Sequence, residues 1–272
     1  MNVRSFEWRD LPTLHRYRAQ CLYLDHARVL TRGPIIAPTG AVLSSLSSAS
    51  GIFTYLAAEQ AGDPSFLIGQ VMHDAGQGSA SLTFLAPESL LSVPLLAAII
   101  ETMAVQIGER GGMRILAEVD SEHPLYESLR QVGFGVYARQ RFWVLQTSTT
   151  GQALPGLRRA QEGADTVAIR FLHANLVPGL VQQVEAPPVT RTQGLVLYKG
   201  NELVVYVEIQ YGASGIWAQP FVHPEAESVA EPLIRMLQNL PDRRSRPVYV
   251  CVRSYQSWLE PIIEGLGAVP GA

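Results

Sequence analysis

The feature that most limits the fold of this chain is a repeat. Phe84-Leu85-Ala86-Pro87-Glu88 returns 137 residues later as Phe221-Val222-His223-Pro224-Glu225. In both places a strand-forming run enters Pro-Glu, and an apolar helical stretch follows. Each copy then continues into a second buried strand and a second helix, which ends in Val132-Gly133-Phe134 or Leu266-Gly267-Ala268. A shared order of elements is harder to reach by accident than any one motif, so the chain reads as two copies of one α/β unit in tandem. The length of 272 residues agrees with two domains of ordinary size.

Periodicity supplies the elements. In the first copy a strand at 3–6 precedes a helix opened by Asp10, with Leu11, Leu14, Tyr17, Cys21 and Leu22 at helical spacing and Pro12 in the first turn. A loop rich in serine runs from Thr31 to Gly51. Strands are predicted at Ile52–Ala57, Phe66–His73 and Ser79–Leu85, with turns at Gly62-Asp63-Pro64 and Gly76-Gln77-Gly78. The stripe Leu95, Leu96, Ile99, Ile100, Met103, Ile107 makes a helix that Gly111-Gly112 stops. A buried strand at Met113–Val119, a helix at Pro124–Val132 and a long strand at Phe134–Leu145 complete the copy.

Residues 146–156 have linker composition and set the expected boundary: one module over 1–146, a linker at 147–156 and a second module over 157–272. In the second module a helix is predicted near 165–177 and a Pro-rich loop at 186–188. Strands follow at 194–198, 202–210 and 215–222, then a helix near 227–240, a strand at 248–252 and a helix near 256–266. This copy reaches Ala272 with no counterpart of the strand after Gly133-Phe134. That edge is open, or another segment fills it, or the native chain continues.

Composition narrows the partners. There are 21 basic and 24 acidic residues, so no basic excess points to nucleic acid. Lys199 is the single lysine, and the arginines are scattered rather than clustered. Cys21 and Cys251 have no metal-ligand spacing and read as buried free thiols of a reducing compartment. The charged, aromatic N-terminus is no signal peptide, and the apolar run Leu90–Ile100 is too short to cross a bilayer, so a cytoplasmic protein with no membrane partner is expected. No metal-ligand cluster, Walker loop or Ser/His/Asp order is present.

Strand, helix, three antiparallel strands, helix, strand, helix, strand resembles the GNAT N-acetyltransferase superfamily. Val3-Arg4-Ser5-Phe6-Glu7-Trp8-Arg9-Asp10-Leu11-Pro12 is similar to its opening strand and helix. Leu85-Ala86-Pro87-Glu88 is similar to the end of its fourth strand, and Val132-Gly133-Phe134 to its Leu-Gly-Phe ending. The resemblance implies an α/β (α+β) chain of two tandem GNAT-like modules, each a mixed, mainly antiparallel twisted sheet flanked by helices. It also implies acetyl-CoA as cofactor, its pantetheine arm in the V between the fourth and fifth strands and its diphosphate on the next helix N-terminus.

The chain departs from the family's glycine-rich diphosphate loop in both copies. Ser89-Leu90-Leu91-Ser92-Val93-Pro94 and Ala226-Glu227-Ser228-Val229-Ala230-Glu231-Pro232 contain no glycine, and Pro94 and Pro232 each remove a donor. Glu227 and Glu231 add negative charge in the second copy, so the first copy is the expected site. Phe84, Leu85 and Ala86 then line the arm, and Ser89, Leu90, Leu91, Ser92 and Val93 the phosphates.

The family's Tyr position holds Leu129 here and Ile263 in the second copy. Tyr126, one turn earlier, is the substitute general acid. Glu118 and Asp120, at the end of the fifth strand, are the candidate bases, and His123 and His223 lie near the same sheet end. Two functions follow: an acetyl-CoA-dependent transferase acting on a small-molecule or peptide amine, or a non-catalytic binding or scaffold protein that keeps the fold without the cofactor cradle.

Overall fold

The computed structural model describes residues 1–33, 39–42, 44, 50–60, 65–146, 154–188, 193–240 and 243–271. Most of the serine-rich loop and of the 147–156 linker lies outside these residues. Two compact units form: Met1–Val29 with Pro34–Gly135, and Leu30–Gly33 with Val136–Ala272.

In the first unit β1 (Asn2–Ser5), β3 (Ile52–Ala58), β4 (Leu67–Met72), β5 (Ser79–Ala86) and β2 (Leu22–Tyr23) lie side by side in that order, each antiparallel to its neighbour. The short β6 (Arg114–Leu116) runs parallel to the start of β5. One face of the sheet carries Leu67, Val71, Leu82 and Leu85. It packs on Leu96, Ile99, Met103 and Ile107 of α3 (Val93–Gly108) and on Leu125 and Leu129 of α4 (Pro124–Gln131). The other face carries Leu56, Ile68, Phe84 and Ala86 and packs on Phe6 and on Leu14 of α1 (Leu11–Tyr17). Each such side chain contributes roughly 1.5–3 kcal/mol when fully buried.

A β-bulge fixes which residues of β5 face which side. Val71 is opposite Leu82, yet Gln70 is opposite Phe84, so Thr83 is the extra residue. Alternation changes phase there: Ala80 and Leu82 face α3, whereas Phe84 and Ala86 face α1. Thr83 is held by a buried polar ladder. Its Oγ1 donates to the Gln70 backbone oxygen (3.1 Å) and Oε1 (3.0 Å), and Gln70 Nε2 donates to Thr54 Oγ1 (3.0 Å).

The second sheet has the order β13 (Val269–Pro270), β7 (Gln140–Leu145), β12 (Val248–Arg253), β11 (Ile216–Val222), β10 (Glu202–Tyr211), β9 (Gln193–Lys199), β8 (Arg158–Arg159). α7 (Ala230–Gln238) and α8 (Glu260–Gly265) give Leu233, Ile234, Leu237 and Ile263 to one face. Ile169, Leu172 and Val181, from α5 (Thr166–Leu176) and α6 (Gly179–Val184), join Tyr206 and Phe221 on the other.

Several boundaries differ from the sequence reading. The first helix stops at Tyr17, and Cys21 and Leu22 leave it for an extended segment. The strand expected over Met113–Val119 keeps three paired residues, and Met113 is exposed. The strand expected over Phe134–Leu145 begins at Gln140 and belongs to the second sheet. There it pairs antiparallel with all six residues of β12, and β13 adds to its other edge. Of the three readings of the second copy's missing strand, the filled edge is the one observed. Trp143 and Leu145 are buried in the second core.

The repeat extends to a device that the pentapeptide match does not reach. Arg4 on the first strand makes a bidentate pair with Asp10, both bonds 2.7 Å, and Asp10 also accepts from the Glu7 N–H. Arg158 pairs in the same way with Asp165, both bonds 2.7 Å, and Asp165 accepts from the Gln161 N–H and the Tyr198 hydroxyl. Asp10 therefore ties the opening strand to the helix entrance and makes no side-chain bond to the first turn of α1.

The donated strand sets a test on fragments. A fragment beginning at Val136 carries β7 and should unfold in one cooperative step by circular dichroism. A fragment beginning at Leu157 leaves the β12 edge bare and should lack that transition.

Candidate active site

In the first unit β5 and β6 part after three residue pairs, the arrangement the family resemblance implies. Only Ser79, Ala80 and Ser81 of β5 pair with β6, at Arg114, Ile115 and Leu116. Beyond them the two strands separate, and the chain's own residues enter the wedge. Leu22 pairs with Leu85 and Tyr23 with Phe84. The Leu24 N–H donates to the Thr83 oxygen (2.9 Å), and the Leu24 oxygen accepts from the Glu118 N–H (2.9 Å). Leu24 thus spans the gap from β5 to the continuation of β6. Burial pushes the Cys21 thiol up to about 11 and the Tyr23 phenol up to about 12, so both are neutral at physiological pH.

Phe84, Leu85 and Ala86 are all buried, and the edge carrying Phe84 and Leu85 is paired to β2. Glu118 is not a free carboxylate at the cleft. Its Oε2 accepts from the His26 N–H (2.7 Å) and faces His26 Nδ1 (2.9 Å), anchoring the start of α2 (His26–Arg32). Burial alone pulls the His26 imidazole down. Its hydrogen bond and charge contact with Glu118, helped by Asp25 and Asp120, outweigh burial and hold it above the ordinary histidine value. Asp120 is exposed and accepts from the Glu122 N–H (2.9 Å), closing a turn. Tyr126 is half-buried on α4, with the Arg130 guanidinium 6.0 Å over its ring. His123 caps α4 through Nδ1, which accepts from Leu125 N–H (3.1 Å), so Nε2 carries the proton toward Glu88 (3.2 Å).

Glu88–Leu90 form a single 3-10 turn, and the Leu90 and Leu91 N–H groups bond back to Pro87 and Glu88. The Ser89 hydroxyl donates to Gln20 Oε1 (3.2 Å). Ser92 is the N-cap of α3 but makes no side-chain bond to the first turn, and its sealed Oγ has no partner among the described residues. The first-turn N–H groups of an α-helix have no intrahelical acceptor, so Val93 and Leu95 offer donors beside that hydroxyl.

The second unit parts its strands at the same point. Ile216, Trp217 and Ala218 pair with β12, and the Val222 oxygen beyond them accepts from the buried amide of Gln256 (2.8 Å). At that end Glu185 Oε1 accepts from the Tyr137 hydroxyl (2.6 Å) and from Arg253 Nη2 (2.7 Å). Burial works against the Arg253 charge, but Glu185 outweighs it and holds the guanidinium protonated; burial pushes Tyr255 up to about 12. Buried Arg253 Nε has no partner among the described residues. His223 caps the following turn through Nδ1, which accepts from Glu225 N–H (3.3 Å). Glu231 is turned to Arg235 (2.8 Å), whereas Glu225 and Glu227 remain in the first turn. No metal-holding cluster and no helix long and apolar enough to cross a membrane occurs among the described residues.

Sequence reasoning missed the two-residue β2 and the Tyr137–Glu185–Arg253 group. The visible signal for the first was Cys21-Leu22-Tyr23-Leu24, an apolar run just past a helix. The second brings together residues from three distant segments and had none. Cys21 is half-buried rather than fully buried, and among the described residues the Cys251 thiol donates to Gln140 Oε1 (3.3 Å).

This fold, two mixed sheets in each of which two parallel strands part, is similar to that of solved GNAT acetyltransferases. A GCN5-related N-acetyltransferase from Sphaerobacter thermophilus matches 99% of this chain and 92% of its own, with a TM-score of 0.60 and 12% identity. A GNAT-family acetyltransferase from Colwellia psychrerythraea matches 100% and 97%, with a TM-score of 0.50 and 13% identity. A tandem GNAT protein from the clavulanic acid biosynthesis pathway matches 99% and 95%, with a TM-score of 0.50 and 13% identity. No protein-family model and no curated protein matches this sequence.

The Glu118–His26 contact is open to direct titration. By NMR, His26 should titrate above the ordinary ~6.5, and Glu118→Gln should lower its midpoint. A raised folded value means that this contact contributes fully below the ordinary histidine value and is lost as pH rises through the raised one.

Proposed function

We propose that this chain is an acetyl-CoA-dependent N-acetyltransferase acting on a small-molecule or peptide amine, with the cofactor's diphosphate at the entrance of α3. The observation that carries the reading is the unpartnered Ser92 hydroxyl at the N-cap of a sixteen-residue helix, beside the parted ends of β5 and β6. First-turn N–H groups without acceptors suit an anion that takes hydrogen bonds, and the Ser92 hydroxyl, sealed in this structure, would join them by turning outward. Ser89, Leu90, Leu91, Ser92 and Val93 would hold the phosphates, and Phe84, Leu85 and Ala86 would border the arm.

When bound, acetyl-CoA supplies an acyl group already activated as a thioester. The chain's own work is to neutralise the phosphate charge with backbone dipoles and to place proton donors and acceptors. Tyr126 is the proposed proton donor and Asp120 the proposed acceptor of the amine proton. Glu118, spent on His26, serves this site by positioning the 24–26 segment.

One observation favours the second reading, a non-catalytic binding or scaffold protein. Leu22–Leu24 hold the edge of β5 that the cofactor arm would need. Calorimetry with acetyl-CoA separates the two without knowledge of the acceptor, because the cofactor is common to every acceptor. Binding supports the enzyme, and its absence at millimolar cofactor supports the scaffold.

Ser92→Glu should weaken binding by roughly 1–3 kcal/mol, about fivefold to 150-fold, through charge repulsion at an effective dielectric near 20 to 40. Undiminished affinity would move the phosphates elsewhere. Once an acceptor is found, Tyr126→Phe should lower turnover by about 10² or more and leave cofactor affinity unchanged, since only a proton donor is lost.

A further inference from the structure

We propose that Cys21–Asp25 form a displaceable strap that occupies the wedge of the first module, so that this module takes acyl-CoA only after the strap leaves the edge of β5. The inference rests on the reading that places the cofactor's phosphates at Ser92.

The strap supplies what the wedge lacks. Where β5 and β6 part, the peptide groups of Thr83–Leu85 and Glu118 lose their strand partners, and buried peptide groups must be paired. Leu24 answers both sides, donating to Thr83 and accepting from Glu118. An extended arm carrying two amide groups offers the same donors and acceptors at similar spacing. Strap and arm therefore compete for one set of hydrogen bonds.

The strap is also built to leave. Its strand is two residues long, and Leu22 and Tyr23 are only half-buried, so Leu24 alone is a deep apolar anchor. Before it stands a single 3-10 turn, Arg18–Gln20. After it Glu118 holds the backbone and ring of His26, and Asp25 accepts from the N–H and guanidinium of Arg28 within the same segment. Gln20 contacts the Ser89 hydroxyl, so the strap's leading end already touches the turn that enters the cradle. An anion that orders Ser89–Ser92 acts on the residue next to the strap.

The test compares CoA with 3′-phospho-ADP, which keeps the phosphates and lacks the arm, on the full chain by calorimetry. In the wild type the two should bind within about threefold of each other, because the arm gains nothing while the strap is in place; binding to a fractionally populated open state is weakened by that fraction. Leu24→Pro removes the donor to Thr83 and should tighten CoA at least about tenfold while leaving 3′-phospho-ADP unchanged. Glu118→Gln keeps the packing and weakens the anchor. It should tighten CoA about threefold or more, and it decides the matter if the proline variant does not fold.

If CoA already binds the wild type far more tightly than 3′-phospho-ADP, and neither variant changes that, the strap is overturned and the cradle stands. If 3′-phospho-ADP binds none of the proteins, the cradle reading fails and takes the strap with it. Hydrogen exchange gives the direct view: in Glu118→Gln, saturating CoA should strip protection from the Leu22–Asp25 amides while 3′-phospho-ADP leaves it, and unchanged protection with CoA bound to that variant would overturn the proposal.

Discussion

Everything distinctive in this molecule follows from two strands that start parallel and then part. Three residue pairs hold each of these couples, Ser79–Ser81 to Arg114–Leu116 and Ile216–Ala218 to Val248–Val250. Past that point the backbone polar groups lie inside the protein without their ladder partners. An unpaired buried peptide group costs about 1–3 kcal/mol, so the wedge has to be filled. The first unit fills it with main chain from Leu22–Leu24. The second uses side chains, the Gln256 amide on Val222 and the Arg253–Glu185–Tyr137 group beside it. The same geometric problem thus has a main-chain answer in one copy and a side-chain answer in the other.

The bulge at Thr83 makes the first answer possible. Without the extra residue, β5 would keep one phase from Ser79 to Ala86, and Phe84 would face the α3 side. With it, Leu85 packs toward α3, Phe84 packs toward α1, and the Thr83 oxygen is aimed at Leu24. Gln70 and Thr54 brace the bulge by buried hydrogen bonds, so its position does not depend on the strap.

Much of this was legible in the sequence, for physical reasons that also mark the limit. The α3 stripe and the strands of both central sheets declare themselves because a buried face repeats every 3.6 or two residues. β2 has two residues, too few for any period. β7 shows its alternation, but nothing local says which sheet it joins, since its partner β12 lies more than a hundred residues onward. The candidate site divides in the same way. Ser92 at a helix entrance can be read from order alone. Whether Glu118 is a free base or an anchor depends on His26, far away in sequence, and no spacing rule reports that contact. The two Arg–Asp pairs were on view as Arg4 before Asp10 and Arg158 before Asp165. Their meaning appears once both are seen to be bidentate, a geometry that a guanidinium supplies and an ammonium does not.

The placement of β7 bears on how a duplicated chain can age. When two copies fold separately, one that loses its chemistry can be deleted without harm to the other. Here the strand encoded at the end of the first copy is an inner strand of the second copy's sheet, between β12 and β13. Trimming the first copy through residue 145 would take an interior wall from its sibling. The second sheet therefore needs Gln140–Leu145, whatever becomes of the wedge in the first. The two halves can diverge in charge, in loops and in cofactor fit, yet they stay bound to one reading frame by a six-residue strand.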